Sequence, residues 1–144
     1  LYQGNVTSGL IERIDGTTGL AEGNFTMAPV GPIADLAFGP TKLYVTCDGG
    51  GGVARFDALT GAADGFLIAP GASYWGILVD SGNLYVANNT TPTLRTFNAT
   101  SGAFISDFAL GGSVFDIIAM PIPEPSGAIM LALGGCAMLR RRKI

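Results

Sequence analysis

Short apolar runs separated by turn residues dominate the chain from residue 33 to residue 110. Ile33–Phe38, Lys42–Cys47, Gly52–Asp57 and Gly65–Ala69 form one set. Trp75–Val79, Asn83–Asn88, Leu94–Asn98 and Ile105–Leu110 form a second. Gly39-Pro40, Ser81-Gly82, Thr60-Gly61 and Ser101-Gly102 punctuate them. Runs of this length, bounded by Gly, Pro, Ser and Thr, predict β-strands joined by tight turns.

The two sets are copies. Leu43-Tyr44-Val45 recurs as Leu84-Tyr85-Val86, Phe56-Asp57 as Phe97-Asn98, and Thr60-Gly61 as Ser101-Gly102, each 41 positions on. Asp35 to Gly61 aligns with Gly76 to Gly102 without a gap. Upstream, Leu1-Tyr2, Ile14-Asp15 and Thr18-Gly19 match Leu43-Tyr44, Phe56-Asp57 and Thr60-Gly61 at an offset of 42. Downstream, Val114–Ala119 resembles Ile33–Phe38 and is expected to be a strand.

Four strands in a period of about 40 residues is the pattern of a β-propeller blade. A β-sandwich also spaces its strands at 8–12 residues, but has no reason to repeat its sequence. The LYV strand, the following RFD or TFN strand and the TG turn resemble the NHL and YVTN propeller repeats. No Trp-Asp repeat is present. The fold expected is therefore all-β, a partial propeller of about three four-stranded blades over residues 1–120.

In this reading the chain opens on the second strand of a blade and reaches the first strand of another. Propellers close with typically 4–8 blades, so residues 1–120 are expected to be an open arc from a longer protein, with exposed edges. The start at Leu1, without Met or an export signal, fits that expectation.

Composition supports the β reading. Glycine is abundant at 22 residues and only 13% of residues are charged, favouring turns and strands over helices. The net charge of −3 hides an asymmetry: through residue 120, Arg13, Lys42, Arg55 and Arg95 stand against ten acids. A body near −6 argues against nucleic acid as partner.

The remaining cations gather at the end. Residues 121–144 hold the tripeptide Pro123-Glu124-Pro125 and the uncharged run Gly127-Ala128-Ile129-Met130-Leu131-Ala132-Leu133-Gly134-Gly135-Cys136-Ala137-Met138-Leu139. The cluster Arg140-Arg141-Arg142-Lys143 follows. Prolines at 121, 123 and 125 fix φ and remove donors, which favours an extended, accessible link. The run shows no polar face, as expected of a helix buried all round. As a helix, 13 residues span about 20 Å, short of the ~20 residues that cross a bilayer. Arg and Lys side chains reaching back to the headgroups extend that span. Cations at its exit place the C-terminus in the cytoplasm and the body outside.

This three-part order resembles the PEP-CTERM sorting signal, also known as the ice-binding protein C-terminal domain. The resemblance covers about a sixth of the chain. It implies a bacterial protein held by one C-terminal helix, processed by an exosortase, and retained at the cell surface or released to an exopolysaccharide matrix. The implied partners are the membrane, the exosortase, and exopolysaccharide or surface proteins. Literal ice binding lacks support, since no regular Thr-x-Thr array is visible.

Candidate chemistry in the body is sparse. The chain has no histidine, so the usual general base and the commonest metal ligand are missing. Cys47 and Cys136 fall in different kinds of segment and are expected to be separate buried thiols. Asp48-Gly49-Gly50-Gly51-Gly52 lies between strands and lacks the Lys-Ser/Thr of a P-loop, so it reads as a flexible turn. Asp35, Asp57, Asp80 and Asp116 lack the alternating spacing of a Ca²⁺ loop and read as turn or strand-end residues.

Asp15, Asp57 and Asn98 share one repeat position, where a side chain bonding its own turn is expected. The Asn-x-Thr triplets at Asn5, Asn24, Asn88 and Asn98 are read as turn chemistry rather than glycosylation sites. Tyr74-Trp75 enters an inner strand. The pair is expected to fill the core between blades, with stacking on a sugar ring as the alternative.

The reading is a non-enzymatic, exported interaction module with no cofactor, metal or catalytic residue. A propeller lyase or lactone hydrolase, with its catalytic groups in other blades, is the competing class.

Overall fold

The computed structural model describes residues 1–27, 32–112 and 114–118. Among them eleven strands form and no helix does. They are β1 (Tyr2–Gly4), β2 (Leu10–Ile14), β3 (Ala21–Met27), β4 (Ile33–Phe38), β5 (Lys42–Cys47) and β6 (Gly52–Asp57). Then come β7 (Ala63–Ile68), β8 (Tyr74–Asp80), β9 (Asn83–Asn88), β10 (Thr93–Asn98) and β11 (Phe104–Ala109). Antiparallel pairing in chain order gives three sheets, β1-β2-β3, β4-β5-β6-β7 and β8-β9-β10-β11. Each has the form of a propeller blade, the first with three strands.

The sequence repeat is a repeat of register. Leu43 opposes Phe56 on β5 and β6, and Leu84 opposes Phe97 on β9 and β10. Tyr44 opposes Arg55, as Tyr2 opposes Arg13 in the first sheet.

The sheets pack face to face. Alternate residues of a strand point to opposite faces, and the middle sheet buries both. Leu43, Val45 and Cys47 of β5 join Ile11, Ile33, Ala54 and Phe56 in a core against the first sheet. Tyr44 and Val53 join Tyr74, Ile77, Leu84, Val86 and Phe97 in a second core, against the third sheet. β5 is therefore apolar on both faces, as its sequence KLYVTC shows. Each buried Leu, Val or Phe contributes roughly 1.5–3 kcal/mol. The outermost strand β11 is exposed along its whole length.

Each blade's last hairpin is shaped by one side chain. Asp15 Oδ1 accepts from the backbone N–H of Thr17 and Thr18, Asp57 Oδ1 from Leu59 and Thr60, and Asn98 Oδ1 from Thr100 and Ser101. The glycine four positions on, Gly19, Gly61 or Gly102, has φ +72° in all three. Gly61 and Gly102 press against the preceding sheet. A Cβ at Gly102 would stand 2.5 Å from the Leu67 carbonyl oxygen, and one at Gly61 would strike that of Phe25. A Cβ at Gly19 would meet nothing.

Residues 114–118 differ from expectation. They pair with no strand, although the backbone of Asp116 and Ile117 runs beside β8. A Cβ at Gly76 would lie 2.9 Å from Asp116 Cα. The segment takes the place of an inner strand, but among the described residues no second strand lies beside it to form a ladder. Pro123-Glu124-Pro125, the apolar run 127–139 and the cations 140–143 lie outside the described residues.

Candidate functional site

The inner strands β4 and β8 are tied together by polar groups as well as by packing. Asp35 Oδ2 accepts from the Ile77 N–H at 3.0 Å, and Oδ1 from the Leu36 N–H at 2.7 Å. Thr46 Oγ1, fully buried, donates to the Trp75 carbonyl at 2.9 Å. Burial raises the Asp35 carboxyl above its ordinary range, and the Asp116 charge adds to the rise against the pull of the two N–H donors. Asp35 was expected at a strand end with a solvated role. It sits instead within β4, half-buried, bridging two sheets.

Antiparallel order puts three kinds of segment at one end of the arc: the β1–β2, β5–β6 and β9–β10 turns, the links entering β4 and β8, and residues 114–118. Asp48 leaves β5 at this end, and its N–H donates to the Pro32 carbonyl at 2.9 Å. Its Oδ1 accepts from Ser73 Oγ at 2.6 Å, from the Gly49 N–H at 2.7 Å and from Trp75 Nε1 at 3.0 Å. These bonds, Ser73 first, hold the Asp48 carboxyl below the usual range. Asp48 Oδ2 accepts no hydrogen bond among the described residues.

The Trp75 ring is half-buried and stacks against Phe115, with centroids 4.7 Å apart and planes at 52°. Phe115 is 64% exposed. A cleft of about 330 Å³ opens here, lined by Val6, Pro32, Ile33, Ala34, Asp48, Trp75 and Phe115. It combines an apolar wall, two aromatic rings and one anchored carboxylate, and among the described residues no cation lines it.

A larger cleft of about 780 Å³ lies at the opposite end, between the turns of the second and third sheets. Tyr44, buried in the core, donates its hydroxyl to the Ala99 carbonyl at 2.8 Å. Arg55 donates to the Thr100 carbonyl at 2.6 Å. The two cations here share one carboxylate, that of Asp64. Lys42 Nζ is 2.9 Å and Arg55 Nε 3.1 Å from Asp64 Oδ2, the latter without hydrogen-bond alignment. This cleft is wider, but its cations are already turned to Asp64 and the Thr100 carbonyl. The smaller one presents a carboxylate oxygen and aromatic surface to solvent, and is the better candidate.

The sequence candidates separate cleanly. Tyr74 is core, 1% exposed, and its hydroxyl accepts from Arg95 at 3.1 Å. Its neighbour Trp75 is not core but lines the cleft. The glycine run forms the β5–β6 turn. Asp57 shapes its turn, and Asp80 ends β8 exposed beside Ser81. Asn5, Asn88 and Asn98 carry turns through their side-chain oxygens, whereas Asn24, also expected in a turn, lies within β3. Cys47 is a free, buried thiol, pushed up to about 11 by burial. Among the described residues no group of three or more His, Cys, Asp or Glu could hold a metal.

Sequence reasoning missed the Asp48–Ser73–Trp75–Phe115 arrangement. The available signal was positional: Asp48 begins the β5–β6 turn, Trp75 follows the link into the next blade, and antiparallel order brings both to one end.

No family model matches the chain, and no curated protein matches it. Among solved structures, it superposes on AztD from Citrobacter koseri with a TM-score of 0.57 and 18% identity, over 76% of this chain and 32% of that one. For BamB from Moraxella catarrhalis the TM-score is 0.58 and the identity 17%, over 79% and 35%. For the computationally designed Ika8 protein the values are 0.56 and 14%, over 78% and 35%. The chain thus spans about a third of the length of each of these structures. AztD and BamB are β-propeller proteins, and at such identities the likeness shows the fold. The body is all-β, with the architecture of a partial β-propeller.

Proposed function

We propose that the chain is a surface-associated, exported interaction module: a propeller body addressed by its C-terminal segment. The observation that carries this is the order of residues 123–143, a Pro-Glu-Pro stop, an uncharged run and four consecutive cations. That order resembles the PEP-CTERM signal, which implies insertion through one C-terminal helix and processing by an exosortase. The cations favour a cytoplasmic C-terminus and leave the body on the far side of the membrane. An acidic propeller displayed there presents clefts and turn loops to partners such as exopolysaccharide or surface proteins, while rigid sheets hold those loops in place.

The topology is tested in a bacterial host lacking an exosortase, using the full reading frame with an epitope after Ile144. Protease added to intact spheroplasts is expected to digest the body and leave the epitope protected. Protection of the body, or digestion of the epitope, would refute the orientation.

A further inference from the structure

We propose that the cleft beside Asp48, Trp75 and Phe115 binds the protonated amine of an amino-sugar residue, with the sugar ring laid against the aromatic pair. This rests on the reading of the chain as a matrix-facing module, and names the class of saccharide that module takes. Three observations combine.

First, the carboxylate is built to stay ionised and fixed. Asp48 Oδ1 is saturated by Ser73, Trp75 and Gly49, which leaves Oδ2 for a ligand. Second, Trp75 and Phe115 offer ring surface in the same cleft as that carboxylate, with Val6, 63% exposed, and buried Ile33 completing an apolar wall. Aromatic faces take the C–H face of a pyranose and also attract a cation held nearby.

Third, charge selects the ligand. The four described side-chain cations lie elsewhere, with Arg13 on Glu22, Lys42 and Arg55 on Asp64, and Arg95 on Asp107. No positive group of the body offsets Asp48 in the cleft, so an anionic sugar is repelled. A neutral one could give Oδ2 only a hydroxyl hydrogen bond, without the ion pairing that an ammonium adds. A volume of about 330 Å³ is at the small end of ligand sites and suits a single ring rather than a long chain segment.

The chain's single tryptophan, Trp75, reports binding by its own fluorescence. The full chain in detergent is titrated with tri-glucosamine, with tri-N-acetylglucosamine as the uncharged counterpart. The expected result is a saturable change in Trp75 emission with tri-glucosamine and at least tenfold weaker binding of the acetylated trimer. Raising salt from 50 to 500 mM should weaken the tri-glucosamine complex. Asp48→Asn keeps an acceptor for Ser73 and Trp75 yet should lose tenfold or more in affinity. Phe115→Ala, at an exposed position outside any strand, should lose affinity with an unchanged urea midpoint.

Equal binding of the two trimers would overturn the proposal in favour of neutral stacking. Choline binding as tightly as tri-glucosamine would overturn it in favour of a general ammonium site. No emission change, or an unaffected Asp48→Asn, would also overturn it. The topology experiment reads location alone. A body outside the membrane that ignores tri-glucosamine sinks this inference, whereas a body that binds it but stays inside sinks the proposed function.

Discussion

Three glycines with one backbone conformation and different surroundings provide an internal control for blade packing. Gly19, Gly61 and Gly102 all adopt φ +72° at the same turn position. Alanine at any of them pays the left-handed cost of an L-residue, roughly 1–2 kcal/mol. At Gly102 the new methyl would also stand 2.5 Å from the Leu67 carbonyl oxygen of the preceding sheet, where backbone must move. Overpacking of that kind adds about 1–3 kcal/mol. Gly19→Ala meets nothing and carries the backbone cost alone.

Gly102→Ala should therefore be less stable than Gly19→Ala by about 1–3 kcal/mol, with Gly61→Ala resembling Gly102→Ala. Urea unfolding followed by circular dichroism measures this, with midpoints compared at a common slope. Equal losses at Gly19 and Gly102 would show that the turns do not seat against neighbouring sheets, and the face-to-face arrangement would be wrong.

Three further outcomes follow from other contacts. Tyr44→Phe removes the hydroxyl that bonds the Ala99 carbonyl across the second and third sheets; it should cost about 1 kcal/mol in urea unfolding with no change in slope. Asp57 is held below the ordinary carboxylate range, chiefly by the Thr60 N–H, then by the Thr60 hydroxyl and the Leu59 N–H. Its folded value being depressed, its contribution is present above the ordinary range and lost as pH falls through the folded value. Asp57→Asn should keep the turn, as Asn98 does, and flatten that part of the acid-side stability profile, read from thermal midpoints between pH 2 and 6. The Cys47 thiol, buried and pushed up to about 11, should resist a disulfide reagent at pH 8 in a Cys136→Ser background until urea unfolds the chain. Prompt labelling in the native state would contradict its place between the first two sheets.

The fold was largely legible because its signals are local. β4, β5, β6 and β9 fall where the apolar runs place them, since each is bounded by Gly, Asp or Asn turn residues. The Asx turns at Asp15, Asp57 and Asn98 could be read from one shared position with a known backbone habit. Residues 114–118 could not, because a strand is a pairing and their likeness to Ile33–Phe38 carries no partner. Nor could Asp35, whose bond to Ile77 spans 42 residues.

The candidate cleft was hidden for the same reason. Asp48 and Trp75 meet only when two blades pack, and Phe115 arrives from beyond a third. Tyr74 and Trp75, adjacent in sequence, point to opposite fates because a strand alternates its faces.

The address proposed for residues 123–143 is tested most directly by expressing the full reading frame in a host with and without an exosortase and blotting membrane and secreted fractions for the body. The account predicts that the body leaves the membrane only when the enzyme is present, and that Glu124→Ala keeps it there. A body that stays membrane-bound in both hosts, or never reaches the membrane, would contradict it.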